Sequence, residues 1–263
     1  MNDKILEVKD LRTYFHTFSR DVRAVDGVSF DIFKGEVLGL VGESGSGKTL
    51  TALSVLRLIS PPGEIVSGRI IFDGQDIMRM DEDSLRKLRG SRVSIVFQEP
   101  ATAFNPVFTI GYQISESIIA HQDVNKHRAE KVAFGFLDKV HIADTDRVYH
   151  SYPHQISGGT KQRAMIAMAL VNSPDLMILD EPTTALDVTI QSQVLDLLKE
   201  IIEKDKMSVL FISHDFGVIA KMCRRVCVMY RGKIVETGVI DTILNDPKDP
   251  YTISLIESVK ALS

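Results

Sequence analysis

The chain has 263 residues, 44% hydrophobic and 25% charged, with a formal net charge of −4 at pH 7. This is the composition of an ordinary folded protein of one large or two small domains, and it excludes a disordered chain, a collagen-like fibre and a basic nucleic-acid tail. Two cysteines exclude a disulfide framework, no apolar run approaches the roughly 18 residues of a membrane span, and the opening MNDKILEVKD predicts no signal peptide, so a soluble cytoplasmic protein with a substantial core is expected.

In the first 35 residues Val28, Phe30 and Ile32 alternate with polar neighbours. That pattern predicts a half-solvated antiparallel strand. Residues 36–41 form a short apolar run, as a strand buried on both faces would. Similar runs fall at 93–97, 176–179, 209–212 and 226–229, with helical patterns between most of them. The expected architecture is α/β, a parallel core sheet covered by helices. Residues 50–59 are apolar-periodic and predict a helix. Residues 68–72 run into Asp73-Gly74, a strand followed by a turn, so a small antiparallel β layer should flank the core. Arg86, Lys87, Arg89 and Arg92 follow Asp81, Glu82 and Asp83, which reads as a solvated helix face. From 101 to 171 the pattern is helical with no convincing strand, an inserted helical subdomain. In 189–204, Ile190, Val194, Leu197, Leu198, Ile201 and Ile202 share one helix face. Arg231-Gly232 separates two apolar runs as a final hairpin would. Asp249-Pro250 opens a last helix, Asp as N-cap and Pro at N1. Cys223, at a helix end, and Cys227, in a strand, read as core packing.

The chemistry begins at Gly42-Glu43-Ser44-Gly45-Ser46-Gly47-Lys48-Thr49, which fits G-x-x-x-x-G-K-[ST] at every fixed position. It follows a buried strand and precedes a helix. Such glycines let backbone N–H groups wrap phosphates at a helix N-terminus, with Lys48 reaching the β/γ-phosphates and Thr49 on Mg²⁺. Thr51 follows in the first turn of the helix and is taken with the same site. The run Leu176-Met177-Ile178-Leu179-Asp180-Glu181 ends an apolar strand in two acids. Asp180 there can hold Mg²⁺ and Glu181 can polarise an attacking water. Ser157-Gly158-Gly159, ahead of a helical run, makes a second anion site with exposed N–H groups.

Ser157-Gly158-Gly159-Thr160-Lys161-Gln162 resembles the signature of ATP-binding cassette (ABC) ATPases, and the other motifs follow in that family's order. Gln98 resembles the Q-loop glutamine, Ala185-Leu186-Asp187 the D-loop and His214 the switch histidine. Phe15, preferred over Tyr14, resembles the adenine-stacking aromatic. The resemblance covers residues 5–238. It departs from the usual pattern at Ile156, Thr160 and Thr184.

The resemblance implies a P-loop NTPase cassette over 1–263. Residues 1–100 and 172–240 would form the core with its antiparallel layer, 101–171 the helical signature subdomain and 241–263 a short tail. It implies ATP and Mg²⁺, the metal on Thr49, Gln98 and Asp180. Glu181 would be the general base, with His214, Lys48 and Gln98 also catalytic. Ser157, Gly158, Gly159 and Asp187 would act on ATP held by a partner ATPase in a head-to-tail pair.

The segment from Gln98-Glu99-Pro100 to Ala103-Phe104-Asn105-Pro106, with Phe108-Thr109-Ile110, and the stretches Tyr152-Pro153-His154-Gln155 and Asp246-Pro247-Lys248-Asp249-Pro250-Tyr251-Thr252 resemble the oligopeptide, dipeptide and nickel importer branch. Its members imply two transmembrane permease subunits, a second paralogous ATPase (or a second copy), an extracytoplasmic binding protein, and a place at the cytoplasmic face of the membrane. Two cysteines cannot supply the Cys₄ iron–sulfur ligation of longer members, so no such cluster is expected. The alternatives are a nucleic-acid-associated or exporter-type ABC ATPase. The net charge offers no global basic field for nucleic acid.

Overall fold

The computed structural model describes residues 3–16, 21–184 and 186–262. They form two compact units, Met1–Leu85 with Lys206–Ser263, and Arg86–Asp205. The first half of the chain gives β1 (Lys4–His16), β2 (Asp21–Phe33), β3 (Val37–Val41), α1 (Lys48–Val55), β4 (Gly63–Phe72), β5 (Gln75–Asp76), α2 (Glu82–Leu88), β6 (Val93–Val96), α3 (Pro100–Ala103), α4 (Ile110–His121) and α5 (Lys126–Lys139). The second gives α6 (Thr145–His150), α7 (Gly158–Leu170), β7 (Leu176–Asp180), α8 (Val188–Asp205), β8 (Ser208–Ser213), α9 (Phe216–Met222), β9 (Arg225–Tyr230), β10 (Lys233–Val239), α10 (Ile240–Asn245) and α11 (Pro250–Leu262).

The first unit carries two sheets. One is antiparallel, in the order β2-β1-β4-β5. Its inner face alternates as Val28, Phe30 and Ile32 foretell, and all three are buried. In the other sheet the strands run in the order β10-β9-β3-β8. β3 is parallel to both β8 and β9, pairing Leu40 with Ile212 and with Cys227. Every residue of β8 is buried, so this is the two-sided core strand its unbroken apolar run predicts. α9 lies close on β3: a Cβ added at Gly39 would stand 3.0 Å from Ile219 Cγ2 and 3.3 Å from Cys223 Sγ. The hairpin at Arg231-Gly232 forms as expected, with β10 antiparallel to β9.

The second unit pairs β6 and β7 in parallel, Val93 opposite Leu176. Between them the chain is helical, and among the described residues of 101–171 there is no strand. This unit is wider than that helical stretch, since β6, β7 and α8 belong to it. α8 buries Val194, Leu195, Leu197, Leu198, Ile201 and Ile202. Six such side chains contribute about 1.5–3 kcal/mol each.

Three boundaries differ from the sequence reading. The helix expected over 50–59 begins at Lys48 and stops at Val55. Arg57 takes a left-handed φ of 50°, Leu58 N–H donates to Leu53 C=O at 2.8 Å and Arg57 N–H to Ser54 C=O at 3.0 Å. That is the paired closure of a helix C-terminus that glycine usually makes. β4 starts at Gly63, five residues before Gly68. β1 is a strand of 13 residues where only a general β character was expected. Among the described residues no helix is long and apolar enough to cross a membrane.

Candidate functional site

In the first unit β3 delivers the chain into residues 42–47 and α1 leaves them. Gly47 caps α1 at φ 108°. Lys48 folds back over the loop: its Nζ donates to the carbonyls of Gly42 at 2.7 Å and Glu43 at 2.9 Å. The loop is packed from below by β9 and the turn after it. Gly232 N–H donates to Ser46 C=O at 2.8 Å. A Cβ at Gly42 would lie 2.1 Å from the Met229 carbonyl oxygen, and one at Gly47 would lie 2.3 Å from that of Ala24. On the other side, a Cβ at Gly45 would meet nothing within 4 Å. Ser46 Oγ is buried with no hydrogen-bond partner. An orphaned hydroxyl, an open face and a helix N-terminus fit a phosphate.

The neighbouring candidates fall as follows. Glu43, Ser44 and Thr49 are exposed. Thr51 turns inward: it is fully buried and its Oγ1 donates to Gly47 C=O at 2.9 Å, so it braces the loop from beneath. Phe15 is half-buried on β1, its ring edge against Gly63, where a Cβ would come within 2.6 Å of it. Tyr14 is tied down instead, its hydroxyl donating to Asp26 Oδ1 at 2.8 Å. His214 is exposed just past β8, and Asp215 beside it caps α9 through the N–H groups of Gly217 and Val218.

In the second unit Gln98, two residues beyond the end of β6, meets Glu181, just beyond β7. Gln98 Nε2 donates to Glu181 Oε2 at 3.2 Å, and Thr184 Oγ1 donates to the same oxygen at 3.0 Å. Asp180 and Glu181 are both buried. Glu181 sits at φ 48°, a left-handed conformation that non-glycine residues adopt at a cost. In the sequence Thr184 stands out only as a departure from the usual family pattern. Its hydroxyl contact needs the backbone turn at Glu181, which no local pattern announces.

Ser157 is the N-cap of α7: its Oγ accepts from Thr160 N–H at 3.3 Å and lies 2.9 Å from Thr160 Oγ1. The departure at Thr160 therefore adds a hydroxyl partner to the cap. Gly159 is where α8 comes close, a Cβ there falling 2.8 Å from Ile190 Cγ2. Asp187 caps α8, its Oδ1 accepting from Ile190 N–H at 3.0 Å. Ala185, between Thr184 and Leu186, lies outside the described residues. Among the described residues no three His, Cys, Asp or Glu side chains group as metal ligands.

A buried parallel strand, a glycine loop closed on Lys48 and a helix define a P-loop NTPase. The sequence model of the ABC transporter family matches residues 25–184. The chain is 45% identical over 260 residues to the oligopeptide transport ATP-binding protein OppD of Bacillus subtilis (strain 168), covering 98% of this chain and 73% of that protein. It is 46% identical over 261 residues to the dipeptide transport ATP-binding protein DppD of the same organism, covering 99% and 78%. Among solved structures it resembles the ATP-binding cassette MJ0796, captured as a dimer in a post-hydrolysis state with ADP and Pi. The TM-score is 0.80 at 26% identity, over 89% of this chain and 98% of that one. It also resembles cbiO1 from Clostridium perfringens, part of the ABC transporter complex cbiONQ. There the TM-score is 0.77 at 26% identity, over 93% and 92%. The chain belongs to the ABC transporter family, as an ATP-binding cassette.

Proposed function

We propose that this chain is the ATP-hydrolysing subunit of a peptide importer, held at the cytoplasmic face of a membrane by two permease subunits. The observation that supports this most is the identity of about 45% to OppD and DppD across almost the whole chain. Nickel and other metal chelates belong to the same branch, but both named relatives are peptide ATPases. A second, paralogous ATPase subunit would complete the pair, and an extracytoplasmic binding protein would deliver the peptide.

In this reading Lys48 and the N–H groups where the loop enters α1 hold the β- and γ-phosphates, and Phe15 stacks on adenine. Mg²⁺, taken by Thr49 with Gln98 and Asp180, would neutralise charge on the phosphates. Glu181 is the general base. Gln98 and Thr184 both donate to its Oε2, so the carboxylate is oriented before water arrives. His214 holds the γ-phosphate and registers its loss. Ser157, Gly158 and Gly159 face the ATP of the partner subunit, with Asp187 at that interface. Hydrolysis removes the charge that clamps the pair, and the pair opens.

The test is recovery of Glu181→Gln with ATP from detergent-solubilised native membranes, read by mass spectrometry. Two permease subunits and a second ATPase are expected, with a binding protein whose bound cargo is peptide. Recovery of ribosomal or DNA-bound proteins without a permease would overturn the transport reading and leave the ATPase.

A further inference from the structure

The stretch 246–252 marks the importer branch in the sequence but has no part in the chemistry above. The structure gives its tyrosine a contact. Tyr251 lies in the first turn of α11, and its hydroxyl accepts a hydrogen bond from the backbone N–H of Glu43 at 2.9 Å. The other end of that same peptide group is the carbonyl of Gly42, and it accepts from Lys48 Nζ at 2.7 Å. One peptide plane in the phosphate loop is thus bonded at both ends, by Lys48 and by Tyr251. A peptide group held this way cannot rotate without losing both bonds, and each bond polarises the other.

Tyr251 is itself held. Its ring stacks on Tyr230, centroids 4.1 Å apart at 25°, and Tyr230 ends β9. Glu236 on β10 accepts from the N–H of Lys248 at 2.8 Å and of Asp249 at 3.1 Å. Asp249 then accepts from Tyr251 N–H at 2.8 Å. The β9–β10 hairpin, which already supports Ser46 through Gly232, therefore also fixes the backbone from which Tyr251 reaches the loop.

We infer that Tyr251 is a positioning residue for nucleotide binding: it orients the Gly42–Glu43 peptide and, through that carbonyl, the Lys48 ammonium that meets the phosphates. The inference rests on the reading of residues 42–49 as an ATP site. It ties the 246–252 stretch to the phosphate loop of the same chain.

The experiment uses the full chain with MgATP as titrant in calorimetry. Tyr251→Phe keeps the stack on Tyr230 and removes only the hydroxyl. Its ATP affinity should fall about two- to ten-fold, the worth of one net hydrogen bond. Its melting temperature without nucleotide should stay within about 2 °C of wild type, while the rise in melting temperature that ATP produces shrinks. A merely structural role would do the reverse, lowering the nucleotide-free value and leaving the ATP-induced rise alone. Unchanged ATP affinity in Tyr251→Phe overturns the inference. Hydrogen exchange at the Glu43 amide decides independently, even where the variant fails to fold. Slow exchange in the wild-type chain is required, and fast exchange there overturns the contact. If the wild-type chain binds no ATP, the ATPase reading falls instead, and the two failures are told apart.

Discussion

Gly47 and Gly45 both have left-handed φ values, 108° and 80°, yet alanine should fail at them for different reasons. At Gly47 the new Cβ would stand 2.3 Å from the Ala24 carbonyl oxygen and 2.8 Å from Met229 Cε. An ordinary C···O contact is about 3.3 Å, so about 1 Å must be found. Methionine can yield, but Ala24 cannot: its neighbours Arg23 and Val25 are paired with Tyr14 and Thr13 across β1. Overpacking costs about 1–3 kcal/mol and the unfavourable φ about 1–2 kcal/mol, so Gly47→Ala should lose about 3–4 kcal/mol. In a chain of this size that lowers the melting temperature by roughly 10 °C. At Gly45 there is no clash, since nothing lies within 4 Å of the new Cβ. Only the φ cost applies, partly offset by a stiffer unfolded chain, so the loss should be about 1 kcal/mol. The open face beside Gly45 is the one assigned to phosphate, and Gly45→Ala should therefore lose ATP affinity out of proportion to its stability. The assay is thermal unfolding of both variants without nucleotide, then MgATP titration. Equal melting temperatures for the two would refute the argument that the loop is wedged against Ala24.

Glu181→Gln should bind ATP while hydrolysing it at least about 100-fold more slowly, and phosphate release at wild-type rate would sink the base assignment. Asp31 contributes acid-sensitive stability. Burial pushes its carboxyl up, but Lys4 and Arg225 outweigh that and hold it below the usual carboxylate range. Arg225 approaches Asp31 Oδ1 at 2.7 Å. A depressed carboxylate gives stability that is present above about pH 4 and lost as pH falls through the folded value. Asp31→Asn should therefore cost about 1–2 kcal/mol at pH 7, and denaturant titrations should show the gap closing below about pH 4. A gap that persists unchanged at low pH would mean the loss is not electrostatic. Cys227 is buried in β9, and burial pushes its thiol up to about 11. It should resist alkylation at pH 8 in the folded chain and react in denaturant, because the thiolate is the nucleophile. Rapid labelling of the native protein would contradict its burial.

The parts legible in the sequence are those where a local pattern has one structural solution. The uninterrupted apolar runs of β3, β7 and β8 fit only strands buried on both faces. The Arg231-Gly232 turn and the Asp249 cap are set by neighbouring residues alone. β1 was harder to read because its alternation breaks. Its pairing with β2 shifts register between Val8 and Leu11, Asp10 there takes a φ of 47°, and the buried set moves from Leu6 and Val8 to Leu11 and Thr13. A period of two does not survive such a bulge. The end of α1 was hidden for a related reason. Arg57 occupies the left-handed position that glycine would have marked. The Tyr251 contact joins residues 208 apart, and no pattern along the chain encodes that.

Glu181 joins these two lessons. Its position after an apolar strand is legible, but its backbone conformation is not. A glutamate at φ 48° costs about 1 kcal/mol or more where glycine would cost little. Asparagine or aspartate would also fit that conformation more easily than glutamate. The side chain at this strained position is held by Gln98 and Thr184 on one oxygen, and strain of this kind clusters at functional sites. The strain falls on the residue proposed above as the general base.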